Sequence, residues 1–165
     1  MSRPLILTYL EINHKIKRIA YQIYENFSSE KEVVIAGING NGYVFAQKIA
    51  EDIERISPIK TLVCQVKINK KNIIDKIDTS LSVEQYTDKV VVLVDDVSHS
   101  GTTLIYGVKH FLNVPLKKLK TAVLVDRNHK KYPIKVDFKG LSLSTSMQEH
   151  VTVSFDTKDF GVYLS

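Results

Sequence analysis

Five consecutive aliphatic residues, Val90-Val91-Val92-Leu93-Val94, run directly into two acids, Asp95 and Asp96. No other stretch constrains the fold as tightly. An unbroken aliphatic run of this length reads as a strand buried on both faces, which implies a parallel sheet covered by helices on each side. The acids then fall where the strand leaves the sheet. In open α/β sheets that carboxyl edge is where ligands bind. The next residues, Val97-Ser98-His99-Ser100-Gly101-Thr102-Thr103, are small and hydroxyl-rich, and they open a helix-like stretch from Thr102 to Leu112. Hydroxyls and unpaired backbone N–H groups at a helix start make a seat for an anion. Acids suited to sugar hydroxyls or a metal, beside such a seat, point to a phosphorylated sugar. Each half alone is ambiguous, since paired acids also make solvated turns and Ser-Gly-Thr also caps ordinary helices. The order of the two halves carries the information.

The remaining pattern supports the same architecture. Leu10 to Phe27 places Ile12, Ile16, Ile19, Ile23 and Phe27 at three- and four-residue spacing, which predicts an amphipathic helix. Glu32 to Ile38 predicts a strand, and Tyr43 to Ile56 a helix. Between them, Gly37-Ile38-Asn39-Gly40-Asn41-Gly42 holds three glycines in six residues, marking backbone that needs positive φ or close approach to a neighbour. Thr61 to Ile68 and Thr121 to Val125 are further strands, the second ending in Asp126-Arg127. Strands alternating with helices predict an α/β fold, a doubly wound and mostly parallel sheet flanked by helices. In the tail, Ile134-Lys135-Val136, His150 to Val153 and Gly161 to Tyr163 are short β-like pieces, expected to form a small β-rich cap and an edge strand.

The 165 residues suit a single domain spanning 1–165, long enough for a real core. No apolar run is long enough to span a membrane, and Met1-Ser2-Arg3-Pro4 lacks a signal-peptide pattern. Cys64 is the single cysteine, so no intrachain disulfide can form, and a cytoplasmic location is the expectation. A net charge of +5 and a pI near 9.2 favour anionic partners, phosphorylated small molecules or RNA alike.

The stretch Asp95-Asp96 followed by Ser100-Gly101-Thr102-Thr103 resembles the phosphoribosyl pyrophosphate (PRPP) motif of type I phosphoribosyltransferases. Thr121 to Gly140, followed by Leu141 to Glu149 with Ser144-Thr145-Ser146, looks like the PyrR family, bifunctional pyrimidine operon regulators and uracil phosphoribosyltransferases. The resemblance implies transfer of phosphoribose from PRPP to a free base, most simply uracil, with release of pyrophosphate. It also implies magnesium as cofactor and a homo-oligomer, dimer or tetramer.

Residue roles follow from the resemblance. Asp95 and Asp96 would hold the ribose hydroxyls, directly or through magnesium-bound water. Ser98, Ser100, Gly101, Thr102 and Thr103 would hold the 5-phosphate. The loop Ile38, Asn39, Gly40, Asn41 and Gly42 would meet pyrophosphate through its backbone amides. Related members carry basic residues in that loop and an Arg at the position of Thr102, so three side-chain charges are missing here. Lys70 or Lys71, on the polar turn after Ile68, would have to supply charge from the neighbouring loop. Asp126, Arg127, Phe138 and Lys139 fall where relatives hold the base. Phe138 is alternatively a core aromatic, and Asp126-Arg127 a strand-end ion pair. His99 stands where relatives place a proton acceptor or a Tyr, and a histidine there could exchange a proton with the base at neutral pH; it is alternatively an exposed loop residue, the favoured reading.

Two other functions stay open. One is RNA-binding regulation, using cations such as Lys15, Arg18, Lys117, Lys118, Lys120, Lys130, Lys131 and Lys139. Against it, arginines are few, and Met147-Gln148 replaces the family's Ser-Lys. The other is a PRPP or nucleotide sensor with weak catalysis. A receiver-like domain holding magnesium on Asp95-Asp96 is disfavoured, since such domains carry their acids near the N-terminus and lack the Ser-Gly-Thr-Thr turn.

Overall fold

A computed structural model describes residues 2–165. The chain runs β1 (Leu5–Leu7), α1 (Tyr9–Asn26), β2 (Glu32–Ile38), α2 (Asn41–Ile56), β3 (Lys60–Lys67), β4 (Asp78–Thr79), α3 (Val83–Tyr86), β5 (Val90–Ser98), α4 (Thr102–Phe111), β6 (Lys118–Arg127), β7 (Phe138–Leu143), β8 (Val151–Ser154) and β9 (Gly161–Leu164). Six strands form one sheet in the order β4-β3-β2-β5-β6-β7, parallel throughout except for β4. The other three form a small antiparallel sheet, β1-β9-β8.

The aliphatic run is central, as its composition requires. Val90, Val92 and Val94 face one core cluster, with α1 and α2, while Val91 and Leu93 face the other, which includes Leu104 and Phe111 of α4. β2 alternates in the same way, Val33 and Ile35 to one side and Val34, Ala36 and Ile38 to the other. Each side chain removed from water on both faces contributes about 1.5–3 kcal/mol, so register is strongly specified. α1 buries Ile12, Ile16, Ile19, Ala20 and Ile23, and Thr8 and Glu11 close its start with a reciprocal capping box.

From β2 the chain crosses outward to β3, then returns to place β5 on β2's other side. That reversal opens a crevice at the carboxyl ends of β2 and β5. The register Gly37↔Val94 sets the glycine loop beside the acid pair.

The tail forms both the small cap and the edge strand, with one correction. Ile134-Lys135-Val136 is not a strand; the edge strand is Phe138–Leu143. Here Thr121 satisfies the segment with side-chain bonds instead of a ladder. Its hydroxyl donates to Lys135 O at 2.5 Å, and its amide donates to Asp137 Oδ2 at 3.0 Å. Among the described residues no helix is long and apolar enough to cross a membrane.

Candidate active site

The acids end the central strand differently. Asp95 is buried, 2% exposed, and its Oδ1 accepts from the Asp96 amide at 2.9 Å. Asp96 is half-buried, and its Oδ1 accepts from Val97 N at 2.8 Å. Burial, and then the neighbouring Asp96 charge, hold the Asp95 carboxyl well above the usual aspartate range, against the pull of Lys70. Lys70 Nζ stands 3.8 Å from Asp95 Oδ2.

The bend after β5 is held open from its sides. Gly101 takes φ 83°, the left-handed conformation that lets α4 start at Thr102 with no side-chain cap. Ser100 Oγ and Thr102 Oγ1 bond each other at 2.7 Å, and Ser100 O accepts from the amides of Lys131 and Tyr132. Ser100 Oγ also accepts from the Thr102 amide at 3.3 Å, and the dipole of α4 lies behind the bend. Asp95, Ser98, His99, Ser100, Gly101, Thr102 and Thr103 line one pocket of about 90 Å³, and Lys70 closes its rim. Asp95 and the anion seat share this cavity, and Asp96 lines the neighbouring one.

The glycine loop opens onto a second cavity of about 490 Å³, lined by Asn39, Gly40, Asn41, Ile68, Asn69, Lys70, Lys71 and Asp96. Gly40 has φ 86° and caps α2 with no side-chain bond, leaving that helix start uncapped as well. The two asparagines are committed to the scaffold. Asn39 Oδ1 accepts from Ile68 N at 3.1 Å, and Asn41 Nδ2 donates to Val153 O of β8 at 2.7 Å. Their job is to fix the loop between β3 and the small sheet, so the positive charge comes from Lys70 and Lys71. Ile38 is fully buried and Gly42 lies against Asp95.

The residues expected at the base divide. Asp126 at the end of β6 pairs with Lys130 Nζ at 2.5 Å and with Lys139 Nζ at 3.2 Å. Lys130 also donates to Ser98 Oγ at 2.9 Å, tying β6 to the anion bend. Sequence reasoning counted Lys130 only among surface cations; its four-residue offset from Asp126 on a strand-to-loop junction gave no local signal. Arg127 points elsewhere. It is 5% exposed and donates to Thr145 Oγ1, Ser146 O and Glu149 O, holding the 144–149 loop closed. Phe138 sits in the core with α1, 5% exposed. His99 is exposed at the pocket mouth, its ring centroid 5.5 Å from that of His129. Desolvation, and then the charges of Arg127, His129, Lys130 and His150, keep His99 below the usual histidine range.

Among the described residues no group of three or more His, Cys, Asp or Glu side chains is placed to hold a metal ion. Two adjacent carboxylates facing open cavities do suit magnesium held mainly by substrate oxygens and water, the way this ion usually binds phosphorylated substrates.

Comparison with known proteins agrees with this geometry. The family model for the phosphoribosyl transferase domain matches residues 6–158. The bifunctional protein PyrR of Macrococcus caseolyticus is 33% identical, over 96% of this chain and 95% of its own. That of Clostridium kluyveri is 30% identical, over 95% and 93%. Among solved structures, the hypoxanthine phosphoribosyltransferase of Trypanosoma cruzi superposes with TM-score 0.81 at 16% identity, covering 99% of this chain and 96% of that one. A hypoxanthine-guanine phosphoribosyltransferase of Bacillus anthracis gives 0.77 at 20% identity, covering 99% and 97%. The fold is shared with the structures, the sequence with the PyrR proteins, and the chain belongs to the type I phosphoribosyltransferase family.

Proposed function

We propose that the protein works in the cytoplasm as a single-domain, PRPP-dependent uracil phosphoribosyltransferase. The observation that carries this reading is the adjacency of two cavities, one lined by Asp95 and the anion bend and the other by Asp96 and the glycine loop, with Lys70 lining both. The family implies pentosyl transfer; the kinship with PyrR proteins supports uracil as the acceptor.

In this reading the α4 amides and the hydroxyls of Ser100, Thr102 and Thr103 seat the 5-phosphate. Asp95 and Asp96 accept from the ribose hydroxyls and stabilise positive charge as the C1–O bond lengthens, an oxocarbenium-like path. The Gly40–Gly42 amides and Lys70 receive the departing pyrophosphate. Magnesium, when bound, neutralises that leaving group. His99, neutral at pH 7, accepts the proton that the base loses. The scaffold supplies positioning and exclusion of water.

Assaying PRPP consumption with each base tests the proposal. Turnover with uracil alone is expected. Turnover with hypoxanthine or guanine instead replaces the pyrimidine with a purine. PRPP binding without turnover on any base leaves a sensor.

A second reading, RNA binding, draws on one face. Arg18 of α1 donates to Lys139 O and Gly140 O of β7 at 2.8 Å each, and among the described residues no carboxylate is bonded to it, whereas the Lys139 ammonium is paired with Asp126. Lys117 and Lys120 are already paired, with Glu30 and Asp137. A gel shift with pyrimidine-operon leader RNA across a salt series decides this, because phosphate contacts weaken steeply with salt.

A further inference from the structure

We infer that Lys70 is a movable counter-charge, bound to the acid pair while the site is empty and to the pyrophosphate of PRPP once the site is filled. This inference rests on the PRPP reading above and concerns how the same site is loaded.

Asp95 and Asp96 are adjacent carboxylates, one of them buried, and such a pair is costly without a positive partner. Among the described residues Lys70 is the one cation within ion-pair distance of either acid, 3.8 Å from Asp95 Oδ2. The contact is lopsided, the Lys70 side chain 50% exposed and that of Asp95 2%. The lysine can leave into water; the acid cannot.

The backbone beneath Lys70 is fixed. Asn69 Oδ1 accepts from the amides of Lys71 and Asn72, and the side-chain amides of Asn69 and Asn72 both donate to Asp75. Asn39 ties Ile68, at the root of this turn, to the glycine loop. The turn therefore stays in place while the four-carbon stem of Lys70 swings. Its reach covers both destinations, because Lys70 lines the small cavity beside the anion bend and the larger one beside the glycine loop.

The exchange has a chemical logic. Ribose hydroxyls and a divalent cation, arriving with PRPP, satisfy the acids and release the ammonium. Pyrophosphate, at the same moment, presents charge on the side where the loop offers Asn39 and Asn41 in place of basic residues. A single lysine thus serves two anions in turn. While it occupies the acids it also disfavours a metal ion arriving alone, so cation and PRPP load together.

The test uses the full chain without any base. Manganese binding is followed by electron paramagnetic resonance in the absence of PRPP, and inorganic pyrophosphate binding by calorimetry in the absence of metal. In Lys70→Met we expect manganese to bind about tenfold more tightly and pyrophosphate about tenfold more weakly, each about 1.4 kcal/mol. Lys70→Arg, which keeps the charge, is expected to hold both affinities near the parent values and so excludes a folding defect of the turn. Unchanged or weaker manganese binding in Lys70→Met overturns the inference, as does unchanged pyrophosphate binding. Neither readout needs turnover. Silence with every base alongside both shifts would remove the uracil proposal and leave the counter-charge standing.

Discussion

Gly42 and Asp95 touch across the crevice: a Cβ built on Gly42 would lie 2.8 Å from Asp95 Oδ1 and 3.1 Å from Asp95 Cα. The glycine loop and the acid are therefore packed as one unit, with no room between them for a methyl group. Asp95 cannot yield, because Oδ1 holds the Asp96 amide. Gly42→Ala is expected to cost about 1–3 kcal/mol of stability, the usual range for overpacking. It should also weaken PRPP binding more than a stability loss explains, since the acid is displaced. Denaturant titration and PRPP calorimetry on the same variant check both parts.

Asp95 itself is expected to trade stability for function. Burial and the neighbouring Asp96 raise its carboxyl above the ordinary range. The folded chain then binds that proton more tightly than the unfolded chain does. Between the unfolded value, about 3.9, and the raised folded one, stability falls as pH rises. At neutral pH the group is therefore a net cost to stability. Asp95→Asn keeps an oxygen for the Asp96 amide and leaves half-exposed Lys70 to water. It is expected to raise stability by about 1 kcal/mol, a Tm gain of about 2–4 °C, while turnover drops on the order of 10²-fold through lost positioning. Thermal melts at pH 7 and pH 4 check the sign: the gain should shrink at the lower pH.

If His99 is the proton acceptor proposed above, it is expected to set the acid limb of the rate profile. Its pKa is lowered, first by desolvation and then by Arg127, His129, Lys130 and His150. The neutral acceptor form therefore persists below the ordinary histidine value of about 6.5. With the parent protein, kcat/KM for the base should stay flat down to that region and fall only at lower pH. His99→Asn should lower turnover by about 10²-fold and abolish that limb. A pH–rate profile identical in parent and variant would remove His99 from the chemistry.

Arg127 is expected to matter for the loop it anchors. It donates to Thr145, Ser146 and Glu149 from a site 5% exposed. Lysine cannot reproduce that fork, so Arg127→Lys leaves part-buried carbonyls unmet and should cost about 1–2 kcal/mol. Hydrogen exchange should rise first across residues 144–149, ahead of β6 itself.

Much of this was legible from the chain alone, for a physical reason. β2 spans the predicted Glu32–Ile38, and the helix expected over Leu10 to Phe27 is Tyr9–Asn26, because burial on one or two faces imposes periodicity on local sequence. The PRPP stretch is likewise local. β1 escaped because three residues beside Pro4 carry no period. β7 starts four residues after the expected piece, because Val136 is buried and Ile134 half-buried by packing and not by a ladder. The side-chain partners of the asparagines and of Lys130 escaped for one shared cause. Their partners are set by topology: Asn41 meets Val153 across 112 positions, and Lys130 meets Ser98 across 32. A single sequence offers no local trace of such bonds.

Asn41 gives the sharpest test of that last point. Relatives place a basic residue in this loop, which invites the view that Asn41 is a weakened ligand for pyrophosphate. Its amide instead donates to Val153 O at 2.7 Å, joining the start of α2 to the small sheet. If clamping is its role, charge is irrelevant and donor geometry is everything. Asn41→Ala should cost about 1 kcal/mol, the worth of one hydrogen bond, and weaken pyrophosphate binding only as far as the loop loosens. Asn41→Asp should be worse than alanine, because a carboxylate would then face a carbonyl oxygen at bonding distance. Asn41→Lys restores the relatives' charge but loses the bond, so it should lower the Tm even if pyrophosphate binds more tightly. Melting curves and pyrophosphate calorimetry on the three variants separate the roles, and a Tm order that places lysine above the parent would show that the clamp contributes nothing.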